Sequence, residues 1–419
     1  MLKTLNIKNF KSVHDLEIDL GRVNVFIGEN GCGKTSILEA IGIGSAALTS
    51  KLDYEFLSSR GIRITDPRLM KSAFDNETPK QNINIKFVNA DNDYIDYDID
   101  YKNKGIYLSD FKSNITTVLS SEKFNEFLNH ILSEQKVQKK LKDSVRKENE
   151  KVDKKKSQNK FDETHKLFLN ELINHYSKDI YLQTDFVNSH NSQYAEKFNI
   201  AHFLTYTPEN YFLRRFEEEG QIKPIGVRGE GLFSHLVEMF KNEDNNFYNE
   251  LCKNLKLINW FDGLEIPSDL SFTEKRLNIK DRFLRESIEY FDQRSANEGF
   301  LYLLFYFTLF LSTDTPECFA IDNVDNALNP KLCKELIERI VILAKEKKKQ
   351  VILTTHNPSI LDGLDLTDDD QRLFVIYRNA NGHTKAKRVN PPKKLDDIDT
   401  VRLSEAFIRG YIGGLPKNF

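Results

Sequence analysis

Three stretches of this chain carry side chains whose types and spacing can handle phosphate groups. The first is Gly28-Glu29-Asn30-Gly31-Cys32-Gly33-Lys34-Thr35, which fits G-x-x-x-x-G-K-[ST]. It lies between an apolar run, Val25-Phe26-Ile27, and a helix opening at Ser36-Ile37-Leu38-Glu39-Ala40. Glycines at 28, 31 and 33 let the backbone curl so that its N–H groups point inward at phosphate oxygens. The helix N-terminus adds partial positive charge. Lys34 can reach the β- and γ-phosphates of a nucleotide, and the Thr35 hydroxyl can ligand Mg²⁺. The second stretch, Cys318-Phe319-Ala320-Ile321-Asp322, is an apolar run closing in an acid, the form of a buried parallel strand. An aspartate at such a strand end can hold the Mg²⁺ hydration shell opposite Thr35. The third, Gln350-Val351-Ile352-Leu353-Thr354, is a strand that runs into Thr355-His356-Asn357-Pro358. A histidine just past a core strand is ordinarily structural, but in this order His356 is placed to hydrogen-bond a γ-phosphate or position water.

These groups need a scaffold that brings distant segments together. Leu2 to Ile7 and Leu16 to Leu20 read as strands joined by Lys8-Asn9-Phe10-Lys11-Ser12, leading through Gly21 to the strand before the phosphate loop. A helix over Thr35 to Leu48 follows, with Ile37, Leu38, Ile41 and Ile43 on a buried face. Alternation in Asn82 to Phe87, Tyr94 to Ile99 and Gly105 to Leu108 predicts an antiparallel subsheet. Phe124, Phe127, Leu128, Ile131 and Leu132, and later Leu167, Phe168, Leu172 and Ile173, recur at helical spacing. Between them Lys136 to Lys160 carries eleven Lys/Arg against four Asp/Glu. The spacing predicts a helical hairpin with arms about 35–40 Å long. Its basic tip is either a solvated turn or a contact for nucleic-acid phosphates. The core resumes with a strand at Ala201 to Pro208. A second glycine-rich turn, Gly226-Val227-Arg228-Gly229-Glu230-Gly231, precedes a helix over Leu232 to Phe240. Such a turn is by itself more often packing than ligand contact. Further expected elements are a strand at Arg276 to Ile279 and a helix with Leu332, Leu336, Ile340 and Leu343 on one face. A hairpin at Leu373 to Tyr377 and Thr384 to Val389 and a helix near Leu403 to Ile408 end the series.

A 419-residue chain that is 39% hydrophobic, 29% charged and 11% aromatic has the composition of a globular protein, with length for two or three domains. The most apolar run, Phe300 to Leu311, is too short to span a bilayer. The N-terminus alternates like a strand and lacks the apolar region of a signal peptide. The four cysteines form no C-x-x-C pair and the nine histidines show no metal-ligand spacing. A cytoplasmic protein with no membrane association and no zinc site is the expectation. The net charge of −3 gives no overall pull toward nucleic acid. Ahead of Phe300, Ser295-Ala296-Asn297-Glu298-Gly299 places Asn297 as a good helix N-cap. It is either an ordinary cap or a helix N-terminus that meets a nucleotide held by a partner subunit.

Together these motifs resemble one family. The block LNIKNFKSVHDLEIDLGRVNVFIGENGCGKTSILEAI is similar to the start of RecF/SMC-like ABC ATPases, above all their OLD-type branch. The order phosphate loop, helical insertion, ANEGFLYL, CFAIDNVDNALNP and VILTTHNPSILDG matches that branch over roughly 1–110 and 195–380. The resemblance implies an α/β ABC-type ATPase core, a mixed sheet flanked by helices plus an antiparallel subsheet. The N-terminal half is expected over 1–115, a helical insertion over 116–190, and the C-terminal half over 191–419. It implies ATP and Mg²⁺ as cofactors and a homodimer that sandwiches two ATP molecules. Gly28 to Thr35, with Ser36, would hold the phosphates, and Thr35 and Asp322 the metal. Asn297, Glu298 and Gly299 would form the signature acting in trans, Asn326 to Pro330 the interface loop, and His356 the switch histidine. For the glutamine that such ATPases place near the metal, Gln81 is the candidate.

Two positions depart from the family pattern. Asn297 stands where the signature usually has serine. Asn323 stands where a glutamate normally follows the metal-binding aspartate and polarises the attacking water. An amide can orient water but cannot take its proton at pH 7; Asp325 is the alternative base. The expectation is tight ATP binding with slow hydrolysis. Only 63 residues follow His356, too few for a Toprim nuclease domain. The resemblance therefore implies a separately encoded nuclease effector, HNH or Toprim type, as in the antiphage systems Septu and PARIS. A DNA-repair ATPase that binds DNA directly, like RecF, and an ABC transporter motor are the other classes that the motifs leave open.

Overall fold

The computed structural model describes residues 1–49, 51–63, 69–102, 110–118, 198–216, 222–241, 245–267, 276–285, 287–391 and 401–415. The expected helical hairpin, its basic tip and the Gly105 to Leu108 strand lie outside the described residues.

Two sheets and a helix between them build the nucleotide side of the molecule. β1 (Leu2–Phe10), β2 (Val13–Asp19), β4 (Ile83–Asn89), β5 (Tyr94–Lys102) and β6 (Asp110–Val118) form an antiparallel sheet of order β2-β1-β4-β5-β6. The second sheet has the order β14-β13-β3-β12-β11-β7 and comprises β3 (Val23–Ile27), β7 (Thr205–Tyr206), β11 (Cys318–Ile321), β12 (Gln350–Thr355), β13 (Gln371–Arg378) and β14 (Thr384–Val389). Its strands are parallel except β14, which returns antiparallel on β13. A small antiparallel sheet, β8 (Phe261–Glu265), β9 (Asn278–Asp281) and β10 (Phe291–Asp292), stands apart.

The parallel strands are buried along nearly their whole length and mostly apolar because both their faces are covered. Phe26, Ala320, Ile352 and Phe374 point to one face, against α1 (Lys34–Leu48) and the antiparallel sheet. Val25, Ile321, Leu353 and Leu373 point to the other, against α5 (Glu298–Leu311) and α6 (Pro330–Glu346). The intervening helices are α2 (Tyr54–Ser59), α3 (Leu232–Lys241) and α4 (Asn245–Leu255), and α7 (Leu403–Ile408) closes the described chain. Sandwiched between sheets, α1 is buried almost all round, which explains its weak amphipathic pattern. Gly44 costs helix propensity but is required, since a Cβ there would meet Phe87 Cζ at 2.4 Å. Gln350 stitches the two sheets: its Oε1 accepts from the Leu2 N–H at 3.0 Å, and its Nε2 donates to the carbonyls of Leu2 and Gly21, each at 2.7 Å.

Every residue of α5 from Phe300 to Leu311 is buried. No described helix is long and apolar enough to cross a membrane. The C-terminal end of α5 is closed by Lys349, 3% exposed, whose Nζ donates to the carbonyls of Leu309 at 2.8 Å and Ser312 at 2.7 Å and to Thr315. The ammonium thus satisfies helix-end acceptors and complements the helix dipole. Replacing Lys349 by methionine keeps the volume but strands those acceptors. It is expected to cost about 2–4 kcal/mol, read as a lower midpoint in urea unfolding.

Several elements differ from their sequence-based bounds. β1 runs on to Phe10 and β2 begins at Val13, so the expected five-residue connector shrinks to Lys11-Ser12, with Asn9 and Lys11 at positive φ. The strand expected over Ala201 to Pro208 is only Thr205–Tyr206, because it pairs at the sheet edge with just two residues of β11. The third strand of the antiparallel subsheet is Asp110–Val118, a stretch whose lysine, serine, asparagine and threonines hide the alternation.

Candidate functional site

The order of the parallel sheet places the carboxyl ends of β3, β12, β11 and β7 side by side, the edge at which α/β sheets hold ligands. β3 leads directly into Gly28 to Gly33 and then α1. Gly33 has φ +108 and a Cβ there would meet Thr384 Oγ1 at 2.1 Å, so only glycine fits. Gly31, with φ +74, is exposed with nothing near its missing Cβ. Glu29 is half-buried, Asn30 is exposed, Cys32 is turned into the core, and Thr35 and Ser36 are half-buried. The loop is braced from behind: Thr384 Oγ1 donates to the Cys32 carbonyl at 2.9 Å, and Arg378 Nε donates to the Gly31 carbonyl at 3.0 Å.

Lys34 folds back over the loop, its Nζ donating to the carbonyls of Gly28 at 2.8 Å and Glu29 at 3.1 Å. Burial pushes its pKa down, and the charges of Asp322 and Asp325 work in the opposite direction. Thr35 Oγ1 donates to Asp322 Oδ2 at 3.1 Å across 287 residues of sequence. The other carboxylate oxygen, Oδ1, accepts from Thr354 Oγ1. The Asn323 N–H donates to the same Thr354 hydroxyl at 2.9 Å. Asn323 sits at φ +55, left-handed backbone that asparagine tolerates better than most residues. Asp325 is tied to the end of β12, accepting from Thr355 Oγ1 at 2.6 Å. His356 is exposed beside Lys34 and Gly28; partial desolvation first, and the Lys34 charge next, push its pKa down, favouring neutral imidazole.

Thr35, Asp322 and Asn323 line a cavity of about 740 Å³. Arg63 lines it too, its Nε donating at 2.8 Å to Glu39, which is buried in α1 and also ion-paired to Lys11. The cavity's far wall is Gly226, Val227, Arg228 and Glu230, the turn that sequence considerations treated as packing. Gln81 is not in this cavity. It is exposed and caps a short 3-10 helix over Thr78–Lys80, its carbonyl accepting from Asn9 Nδ2 at 2.8 Å. Thr205 and Thr207, at the end of β7, occupy the wall beside Asp322 instead.

Asn297, Glu298 and Gly299 are elsewhere. Asn297 caps α5, its Oδ1 accepting from the Phe300 N–H at 2.8 Å. Glu298 Oε1 accepts from Asn210 Nδ2 at 2.6 Å, and a Cβ on Gly299 would lie 3.0 Å from the Ala327 carbonyl. These residues share a second cavity with Ala327 and Asn329, so the interface loop and the α5 N-terminus adjoin. Thr354, Arg63 and Arg228 were missed as site residues. Paired threonines closing the apolar β12 were a local clue to the first, whereas the arginines are placed only by tertiary contacts.

The oxygen donors of Thr35 and Asp322 suit a hard cation such as Mg²⁺. The glycine cradle and buried Lys34 suit a polyphosphate. Residues 23–362 match the AAA_21 family, described as "AAA domain, putative AbiEii toxin, Type IV TA system". An uncharacterized protein of Methanocaldococcus jannaschii is 31% identical over 97 residues, 22% of this chain and 43% of that protein. An OLD nuclease of Thermus scotoductus is 33% identical over 86 residues, 18% of this chain and 16% of the nuclease. The matches thus span less than half the length of either relative. A crystal structure of an SmcHead bound to the C-winged helix domain of ScpA superposes with TM-score 0.52 at 13% identity, covering 93% of this chain and 98% of that one, a likeness of fold. The chain belongs to the AAA_21 family, whose description is of an AAA domain, and its fold is like that of an SMC head.

Proposed function

We propose that this protein binds Mg²⁺-ATP at the Gly28 to Ser36 loop and holds it with little turnover. The observation that carries this is the Thr35–Asp322–Thr354 chain of hydrogen bonds, which also holds the backbone N–H of Asn323 and so fixes beside Asp322 a residue whose side chain is an amide where a carboxylate is needed. When bound, Mg²⁺ would neutralise charge on the terminal phosphates. Thr35 and Asp322 are the residues to hold it, and Thr354 fixes the Asp322 carboxylate. Lys34, released from the loop carbonyls, pairs with the β- and γ-phosphates. Asn323 orients a water but leaves its proton in place. His356, neutral at pH 7, offers the terminal phosphate a hydrogen bond.

The α5 N-terminus lines a cavity different from the one that holds Thr35 and Asp322, so Asn297 to Gly299 complete a site only from a second copy of the chain. A homodimer closed around two ATP molecules is the state this supports. We further propose that the ATP-held dimer is a sensor and scaffold for a separately encoded nuclease effector in antiphage defence. Partial identity to an OLD nuclease and the toxin description of the family support this direction. The test is size-exclusion with light scattering, with and without ATP, followed by co-purification with nucleases encoded beside the gene. ATP should double the mass, and Gly299→Asp, which places charge and bulk against Ala327, should abolish the doubling while leaving ATP bound. A protein that stays monomeric with saturating ATP contradicts the proposal.

A further inference from the structure

The Gly226 to Gly231 turn does more than pack. It is docked on the strand edge beside the metal-side aspartate: the Asp322 N–H donates to the Tyr206 carbonyl at 2.8 Å, and the Thr207 N–H donates to the Val227 carbonyl at 2.8 Å. Its glycines make room for a buried acid. A Cβ on Gly226 would lie 2.4 Å from Glu230 Oε2, and Gly229 and Gly231 adopt φ +99 and +78. The Glu230 side chain is 7% exposed, and both its oxygens are spent on one residue. Oε1 accepts from Arg228 Nε at 2.6 Å and Oε2 from the Arg228 N–H at 2.8 Å. The guanidinium also lies over the Phe212 ring, 3.9 Å from its centroid. Arg228 is thus gripped at its Nε and on one face, while its side chain stays 48% exposed toward the cavity that holds Thr35 and Asp322. Its Nη groups have no partner among the described residues. Burying a carboxylate solely to hold a half-exposed arginine is a poor route to stability, because the desolvation cost exceeds what a partly hydrated pair returns. It is an effective way to aim a planar fork of donors at an anion.

We propose that Arg228 is the group by which this site tells a nucleoside triphosphate from a diphosphate. Its free Nη groups meet the terminal phosphate, and Glu230, which touches no substrate, positions them. The proposal rests on the nucleotide site described above and adds a contact to it. A lysine at 228 would supply charge without the fork, so charge and geometry are separable.

The test is titration of a fluorescent non-hydrolysable ATP analogue and of fluorescent ADP, both with Mg²⁺, into wild type, Arg228→Gln, Arg228→Lys, Glu230→Gln and Lys34→Ala. Melting temperatures establish that each variant is folded. Arg228→Gln should weaken the ATP analogue about tenfold or more while ADP stays within about twofold. Arg228→Lys should fall between, and Glu230→Gln should lose part of the preference with no change for ADP. If Arg228→Gln leaves both affinities unchanged or lowers them equally while Lys34→Ala abolishes binding, Arg228 is structural and the proposal fails alone. If wild type and Lys34→Ala bind alike, the nucleotide site itself is misplaced, and the proposal falls with it.

Discussion

Replacing Lys34 by alanine is expected to lower ATP affinity by about two orders of magnitude or more. The ammonium is buried at 6% exposure, and its oxygen partners among the described residues are the Gly28 and Glu29 carbonyls of the same loop. Burial already depresses its pKa, so an incoming polyphosphate gives the charge a counter-ion in a poorly solvated place. Two charge-assisted hydrogen bonds of about 1.5–3 kcal/mol each correspond to roughly a hundredfold or more in Kd. The apo fold should tolerate the change, since the loop is braced independently by Arg378 and by Thr384, which is itself hydrogen-bonded to Ser12. Titration with a fluorescent ATP analogue is the check. Affinity within threefold of wild type would remove the loop from the nucleotide site.

The second large effect is a gain. Asn323→Glu is expected to raise ATP hydrolysis about a hundredfold, the usual scale of a positioned general base. The residue follows Asp322, lines the same cavity, and is held by its N–H on Thr354. Installing a carboxylate there has a conformational cost. Position 323 lies at φ +55, which glutamate adopts less readily than asparagine, so a stability loss of about 1 kcal/mol should accompany the gain. Asp325 is a poor substitute base, because Thr355 occupies one of its oxygens at 2.6 Å. An Asp325→Asn variant that abolishes a brisk wild-type activity would reverse that assignment.

The elements that carry the chemistry were legible because they are local. Val25 to Thr35 writes strand, cradle and helix into one continuous stretch. The acid-terminated run ending at Asp322 and the Gln350 to Thr355 strand are apolar on both faces, and the helix from Glu298 is apolar all round. Pairing of Thr35 with Asp322 follows from the parallel order β3-β12-β11. Edge structure was harder. Thr205–Tyr206 is set by how much of β11 remains to pair, and Asp110–Val118 is read only once β5 is in place. Gln81 failed as a site residue because its region is folded onto Asn9 instead. The place of the Arg228–Glu230 wall on the cavity was not legible, because a glycine-rich turn shows locally neither which acid it buries nor which cavity it faces.

Nucleotide retention is the central claim, and single-turnover hydrolysis by the purified protein tests it most directly. Excess protein is mixed with labelled ATP and Mg²⁺, beside Asn323→Glu and a Lys34→Ala control. The expected result is ATP bound and largely intact on wild type over the time in which Asn323→Glu converts it to ADP, with no retention by Lys34→Ala. Rapid conversion by wild type, unchanged by Asn323→Glu, would mean that another group activates the water and that the protein is a working motor or timer rather than a nucleotide-held scaffold.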